Sequence, residues 1–328
     1  MRVGLVYDLF EDFRWQEGDP FDADVENEPT ETIEAIEEAI QRLGHQPVRV
    51  GGARDLLKHM DNPDFDVVVN IAEGSRGRNR EGEAPALLEM MGVPFVGSDA
   101  LTLSLSLDKA WTKDLAVAAG LRTPGYRCYS SSIEIDPDTL PAAFPLFVKP
   151  RYEGSAKGLT ISSKVNSIDA LRAQVDHIAG SYGQSVLVEQ FIEGSEFTIA
   201  VIGSDPVRTM PVIQRATERH SGIGLHALDR KGLPAVDHDF ELTGDLSSEL
   251  ESALSDATVA VFNKLECKDF ARVDFRVDTA GQEWFLEINP LPTLAPDGTF
   301  AIMAELDGQS YPDFLSMILL GAFERVLP

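Results

Sequence analysis

Cysteine is almost missing from this 328-residue chain: Cys128 and Cys267 stand far apart, with no ligand-like spacing. That excludes a disulfide framework and a cysteine zinc site, and it reads as two reduced thiols in a cytoplasmic protein. Positive charge is scarce as well. Twenty-eight Lys and Arg stand against 54 Asp and Glu, a formal net charge of -26, so no nucleic-acid partner is expected and any bound polyanion must find a local basic pocket. The acidity suits a salt-rich habitat and a demand for solubility equally. Lysine is scarcer still, with 9 against 19 Arg, which gives weight to each one that stands beside a glycine loop or a strand end. No apolar run can span a bilayer, the longest lying near Phe314 to Phe323. The first residues run straight into a strand, RVGLVYD, and acids follow where a signal peptide would carry its apolar core. A cytoplasmic location with no membrane partner is therefore expected. Internal repeats and low-complexity segments are also absent.

The chain has ample material for a core. With 43% hydrophobic and 8% aromatic residues it is globular, and its length suits two or three domains. Residues 2–7 form a short apolar run consistent with a buried parallel strand. An acidic, irregular stretch, residues 9–29, follows and is long enough to be a functional loop. Ile33, Ile36, Ile40 and Leu43 then recur at helical spacing, with Thr30 as N-cap and Gly44 as the stop. PVRV, a helix over 53–60, DVVVN, a helix over 84–91 and PFVG continue the alternation. This predicts a parallel α/β domain over residues 1–100, with its ligand crevice at the carboxyl ends of the strands. Asp8 and the segment IAEGSRGRNREGEAP sit at those ends; the segment fits a solvated loop, but its place after a buried strand favours substrate binding and makes Glu73 and Arg80 substrate candidates.

Residues 101–120 read as helix, broken at Asp108, with Lys109 just beyond the break. Farther on, PLFVK and LTIS read as strands around EGSAKG. That loop is small enough for backbone N–H groups to approach phosphate oxygens, and Lys149 and Lys157 add positive charge. Taken alone, a plain hairpin with a surface Lys explains it. The strand SVLVEQFI ends in Glu189, Gln190, Phe191 and Ile192, and Glu196 heads the next strand. This arrangement fits either an interdomain connector or a linker that presents backbone groups to a purine edge. Residues 214–245 are polar and aperiodic, the signature of a lid or a disordered loop.

The most informative stretch is FARVDFRVDTAGQEWFLEINPLPTL, residues 270–294. Two alternating runs flank DTAGQ and predict an antiparallel hairpin. The first run sets Val273, Phe275 and Val277 against Arg272, Asp274 and Arg276; the second puts Phe285, Glu287 and Asn289 on one face. A four-residue loop at 279–282 would place Asp274 opposite Glu287 and Arg272 opposite Asn289. Facing carboxylates repel unless a cation joins them, and an Asp, a Glu and an Asn oxygen together suit Mg²⁺ better than Zn²⁺. A solvent-facing hairpin with scattered charges fits the same pattern.

Four segments in this order resemble the ATP-grasp superfamily, and within it the D-alanine:D-alanine ligase family: LLEMMGVPFVGSDALTLSLSLDKAWTK, FVKPRYEGSAKG, LVEQFIEGSEFT and ARVDFRVDTAGQEWFLEINPLP. The resemblance implies an α/β ATP-grasp fold. An N-terminal parallel domain (1–100) would be followed by two α+β subdomains (101–196 and 197–328) that enclose a nucleotide. It implies that Lys109 and Lys149 contact the phosphates and that Gly154, Ser155 and Ala156 close over them. Glu189, Gln190 and Ile192 would receive adenine and Glu196 the ribose, with Glu153 and Leu286 in the same nucleotide set. Asp274, Glu287 and Asn289 would hold two Mg²⁺ ions, with Mn²⁺ as a substitute. Arg272, with Ser155 and Glu28, would serve the chemistry. In that chemistry ATP phosphorylates a carboxylate and an amine attacks the acylphosphate, which joins amino acids or small peptides. A homodimer is common in the family.

The departures fall on the substrate side. TLAPDG places Gly298 where the family has a serine that holds the acceptor carboxylate, and Thr293 opens that segment. The family's lysine and tyrosine pair has no counterpart in 214–245, which offers Arg215, Arg219, His220 and His226. Glu73 and Gly74 stand for a histidine and glycine, and Glu28 matches the acid that holds the first substrate's ammonium. The expectation is an ATP-dependent carboxylate-amine ligase. The alternatives are a D-alanine:D-alanine ligase with divergent pockets and an ATP-binding protein without turnover.

Overall fold

The computed structural model describes residues 1–228 and 239–327; residues 229–238 of the expected lid lie outside the described residues. Strands β1 (Arg2–Val6), β2 (Gln46–Gly51), β3 (Val67–Asn70) and β4 (Phe95–Val96) form a parallel sheet in the order β2-β1-β3-β4. All four residues of β3 are buried, as a strand covered on both faces requires. The crossovers are α1 (Thr30–Arg42), α2 (Ala53–Leu56) and α3 (Glu83–Met91). Ile33, Ile36, Ala39 and Ile40 bury one face of α1, and Gly44 (φ 78°) takes the left-handed turn beyond it. Thr30 is inside the helix rather than capping it; Pro29 holds the cap position. The expected helix over 53–60 is the short α2 followed by a 3₁₀ turn at Leu57–His59.

Asp108 breaks the next helix into α4 (Ala100–Leu107) and α5 (Lys109–Ala118). Its carboxylate accepts from Ala110 and Trp111 N–H, so the break is a new N-terminus that fixes Lys109 in the first turn. Strands β5 (Tyr126–Tyr129), β6 (Leu146–Pro150), β7 (Lys164–Val165) and β8 (Val186–Gln190) make a second, antiparallel sheet in the order β5-β8-β6-β7, backed by α6 (Ile168–Tyr182). The LTIS strand does not form. Thr160 Oγ1 accepts from Ser162 N at 3.1 Å while Thr160 N donates to Ser163 Oγ at 3.0 Å. The backbone is thereby satisfied locally in a tight turn instead of in a ladder.

The third sheet is built on β9 (Gly194–Ile202), flanked by β10 (Arg208–Thr209) and β11 (Ile213–Arg215). A small ribbon of β12 (Thr217–Glu218) and β13 (Phe240–Glu241) stands apart from it, with α7 (Leu225–Leu228) nearby in sequence. After α8 (Ser248–Lys264), strands β14 (Phe270–Asp278) and β15 (Glu283–Asn289) complete the sheet, β14 lying between β9 and β15. The chain ends with α9 (Thr299–Leu306) and α10 (Tyr311–Val326), whose Phe314, Ile318 and Phe323 return to the core of β1 and α1. Arg325 locks this return: its Nε lies 2.7 Å from buried Asp269, which also accepts Gly97 N–H at 2.8 Å. Among the described residues no helix is long and apolar enough to cross a membrane.

The β14–β15 hairpin differs from its expected form at two points. Asp278 N donates to Gln282 O at 3.0 Å, so the turn is one residue tighter than four, with Gly281 at φ 81°. A bulge at Leu286 then shifts the register back. It also turns Phe285 to the opposite face from Glu287. Phe285 pairs with Phe275 in the core, their rings edge to face at 6.1 Å, and does not share a face with Glu287 and Asn289.

Candidate active site

Beyond the bulge, Asp274 faces Glu287 and Arg272 faces Asn289 across the ladder. Thr198 Oγ1, on the neighbouring β9, donates to one oxygen of Asp274, and Arg272 binds the other at 3.1 Å. Burial alone would raise the Glu287 carboxyl, but Lys109, Lys149 and Arg272 outweigh it and hold the group down at about 2. Glu287 is therefore ionised at neutral pH. Two carboxylates and the Asn289 amide make a set of hard oxygen donors that fits Mg²⁺, whose remaining positions go to water or phosphate oxygen. Among the described residues no third His, Cys or acid joins them.

This cluster stands where two clefts meet. The first is lined by Lys109, Lys149, Glu153, Ala156, Glu189, Gln190, Ile192, Glu196 and Leu286, together with Asp274 and Glu287. Its lining includes the linker between the second and third sheets, where Phe191 is held between Lys164 (4.1 Å) and Arg276 (4.7 Å). Arg276 also donates to the carbonyls of Gly194 and Gly222 at 2.8 and 2.9 Å, tying the linker to the segment before α7. A Cβ at Gly224 would lie 2.5 Å from a Glu196 oxygen, so a larger residue there would push the Glu196 carboxylate aside.

The second cleft is larger, about 740 Å³, and is lined by Glu28, Glu73, Ser155, Arg272, Asn289, Thr293 and Gly298 among others. Glu28 accepts hydroxyl hydrogen bonds from Thr32 (2.7 Å) and Thr293 (2.9 Å). Burial, and then neighbouring Glu81, push the Glu73 carboxyl well above its ordinary range. Arg215 and His226 also face this cleft, and His226 lines both. Crowding by the protein and the guanidinium charges of Arg272 and Arg215 hold the imidazole down at about 4, which leaves it neutral.

Three sequence candidates lie elsewhere. Arg80 is not in the lining of either cleft: it is buried, 2.6 Å from Glu26 and 2.7 Å from the Tyr152 carbonyl, and braces the two segments internally. Gly154 is absent from both linings, and Ser155 faces the second cleft and not the first. The loop is turned this way by the acidic stretch: Glu26 accepts Gly154 N–H at 2.6 Å and Lys157 at 2.8 Å, while Asp22 accepts Gly158 N–H at 2.8 Å. A Cβ on Gly154 would come within 2.9 Å of Glu26, so glycine is what permits the approach. Ser155 and Ala156 follow at φ 45° and 56°, a left-handed pair that is costly for non-glycine residues.

Two residues that sequence reasoning passed over matter here. Lys113 is fully buried, 2.8 Å from Glu189, whose other oxygen lies 2.8 Å from Lys149. Glu189 thus orients a lysine on each side. Its spacing from Lys109 on α5, one helical turn, was the only available signal for Lys113. Glu26, which clamps the loop, had no signal at all within a run of acids.

A sequence model described as the D-ala D-ala ligase C-terminus matches residues 138–320. The chain is 33% identical over 300 residues to an uncharacterized protein, y4sG, of Sinorhizobium fredii, covering 89% of this chain and 87% of that one. It is 32% identical to a D-alanine–D-alanine ligase of Marinobacter nauticus, covering 87% and 83%. The fold matches that of a D-alanine–D-alanine ligase from Bacillus anthracis complexed with ATP, at a TM-score of 0.74 and 22% identity over 99% of this chain and 97% of that one. It also matches the VanG D-Ala:D-Ser ligase of Enterococcus faecalis, at 0.73 and 20% over 98% and 99%. With its hairpin of oxygens, its two clefts and this extent of likeness, the chain belongs to the D-alanine–D-alanine ligase family, ATP-grasp enzymes that form a C–N bond.

Proposed function

We propose that the protein joins the carboxylate of one amino acid or short peptide to the amine of another, with ATP in the first cleft and the two substrates in the second. The observation that carries this reading is the position of Arg272, Asp274, Glu287 and Asn289 at the junction of the two clefts. Only there can a phosphoryl group from one side meet a carboxylate from the other.

Lys109 and Lys149 supply positive charge to the phosphates, and Gln190, Ile192 and Leu286 give the base an apolar and amide-lined seat. Glu196 serves the ribose hydroxyls. Asp274, Glu287 and Asn289 would hold Mg²⁺, which when bound neutralises charge on the transferring phosphoryl group. Arg272, buried and anchored by Asp274, stabilises negative charge that develops as the donor carboxylate takes up phosphate and as the amine attacks. No covalent nucleophile is required, because positioning and charge neutralisation supply the rate.

Incubation with ATP, Mg²⁺ and paired amino acids of both configurations should release phosphate, with the product identified by mass. Release from no pair would overturn the reading. A D-alanine pair is the second reading, favoured by the names of the relatives at about one-third identity. Phosphate release that requires D-alanine decides for it.

A further inference from the structure

The second cleft holds more apolar surface than alanine-sized substrates would use. Trp15, on the acidic stretch, is 53% exposed, and Ile302, on α9, is 47% exposed, yet both line this one concavity. Phe10, Val25 and Ala295 lie in the same lining. Single exposed hydrophobes are ordinary on a protein surface, whereas large ones gathered in a concave site mark a place where apolar ligand surface binds. The Trp15 indole is fixed there by Phe13, edge to face at 5.1 Å and 70°. The cleft, about 740 Å³, lies in the upper part of the range of small-molecule pockets and has room for side chains larger than a methyl group.

Two of the acids that line the cleft already have partners. Glu26 is spent on Arg80, Lys157 and Gly154 N–H, and Glu28 receives two threonine hydroxyls. Arg215 donates to Thr299 Oγ1 on the first turn of α9, which puts charge at the reactive end and leaves Ile302 one turn farther along the helix. The cleft is therefore graded, from Arg272 and Asn289 at the junction to aromatic and branched side chains beyond. Resting on the ligase reading above, we propose that one of the two substrates carries a large apolar side chain, received by the wall that includes Trp15 and Ile302.

The test crosses alanine, leucine, phenylalanine and glutamine pairwise, in both configurations, with the full chain, ATP and Mg²⁺, measuring phosphate release and product mass. At least one pair that contains leucine or phenylalanine should exceed the alanine pair in kcat/KM by about tenfold or more, the scale on which apolar pockets discriminate side chains. It should exceed the glutamine pair of similar size by as much. Trp15→Ala and Ile302→Ala should each cut that preference at least threefold through KM, with kcat changed less than twofold. An alanine pair that matches the apolar pairs, glutamine that matches leucine, or a preference that neither variant alters overturns the inference while the ligase reading stands. Calorimetric titration of the ADP-loaded protein with phenylalanine separates the two. Binding that Trp15→Ala weakens, without phosphate release from any pair, would remove the ligase reading and keep the apolar wall; neither binding nor release would remove both.

Discussion

Changing Glu189 to glutamine removes a charge and no volume, so its cost follows from the surroundings alone. Each carboxylate oxygen lies 2.8 Å from one ammonium group, Lys113 on one side and Lys149 on the other. Lys113 has no exposed surface, and its other bond is to Thr123 Oγ1 at 2.9 Å. A glutamine oxygen can accept from one lysine, but its NH₂ must then face the other, donor to donor. Two ammonium groups left about 6 Å apart repel by roughly 3 kcal/mol at an effective dielectric of 20. Loss of one partner from a buried pair costs about 3–5 kcal/mol, a large share of the roughly 5–15 kcal/mol that a domain has. Glu189→Gln should therefore lower stability by about 3–5 kcal/mol in urea melts followed by both tryptophan fluorescence and circular dichroism. Adding Lys113→Met to Glu189→Gln removes the stranded ammonium and should restore about half of the loss, a coupling of the size that contacting charges give in mutant cycles. A Glu189→Gln cost below about 1 kcal/mol, or a double variant whose costs simply add, would refute the reasoning.

The ends of the hairpin show how much a sequence can and cannot say. Alternation around DTAGQ located both strands and paired Asp274 with Glu287, yet that pairing results from two departures that cancel: the turn is tighter by a residue and the bulge at Leu286 adds one back. Alternation has no means of seeing a bulge, because a bulge is chosen by which side chain the core will accept. Here the core took Phe285 beside Phe275 and left Glu287 in the site. The parallel sheet was legible for a simpler reason, since strands buried on both faces read as unbroken apolar runs. The clamp on the loop was not legible. Glu26 and Gly154 are 128 positions apart, and within a stretch of acids no local rule singles out the one that a later loop will approach. The partner of Arg80 was hidden on the same ground: position at the end of a strand suggested a substrate contact, and nothing local announces that its guanidinium meets Glu26.

Glu287→Gln should lower turnover by orders of magnitude while circular dichroism shows the fold intact, at some cost in melting temperature because Lys109, Lys149 and Arg272 lose the carboxylate they hold ionised. Turnover unchanged in that variant would take Glu287 out of the metal site. Glu81→Gln should stabilise the protein, and only above acid pH. Glu81 is buried, and burial, with Glu26 and Glu153, raises its carboxyl from 4.5 to about 7 against the pull of Arg80 and Lys109. Between those two values the folded chain keeps a proton that the unfolded chain has released, so this group lowers stability progressively as pH rises from 4.5 to 7. Glutamine, which cannot ionise, avoids that loss. Its advantage should be near zero below pH 4.5 and grow to at most roughly 3 kcal/mol above pH 7, at 1.36 kcal/mol for each unit. Urea melts at acid and at mildly alkaline pH measure the difference directly. The same difference at both, or greater stability of the glutamate form at the higher pH, would mean that Glu81 keeps its charge in the folded protein and that the attraction of Arg80 and Lys109 outweighs its burial.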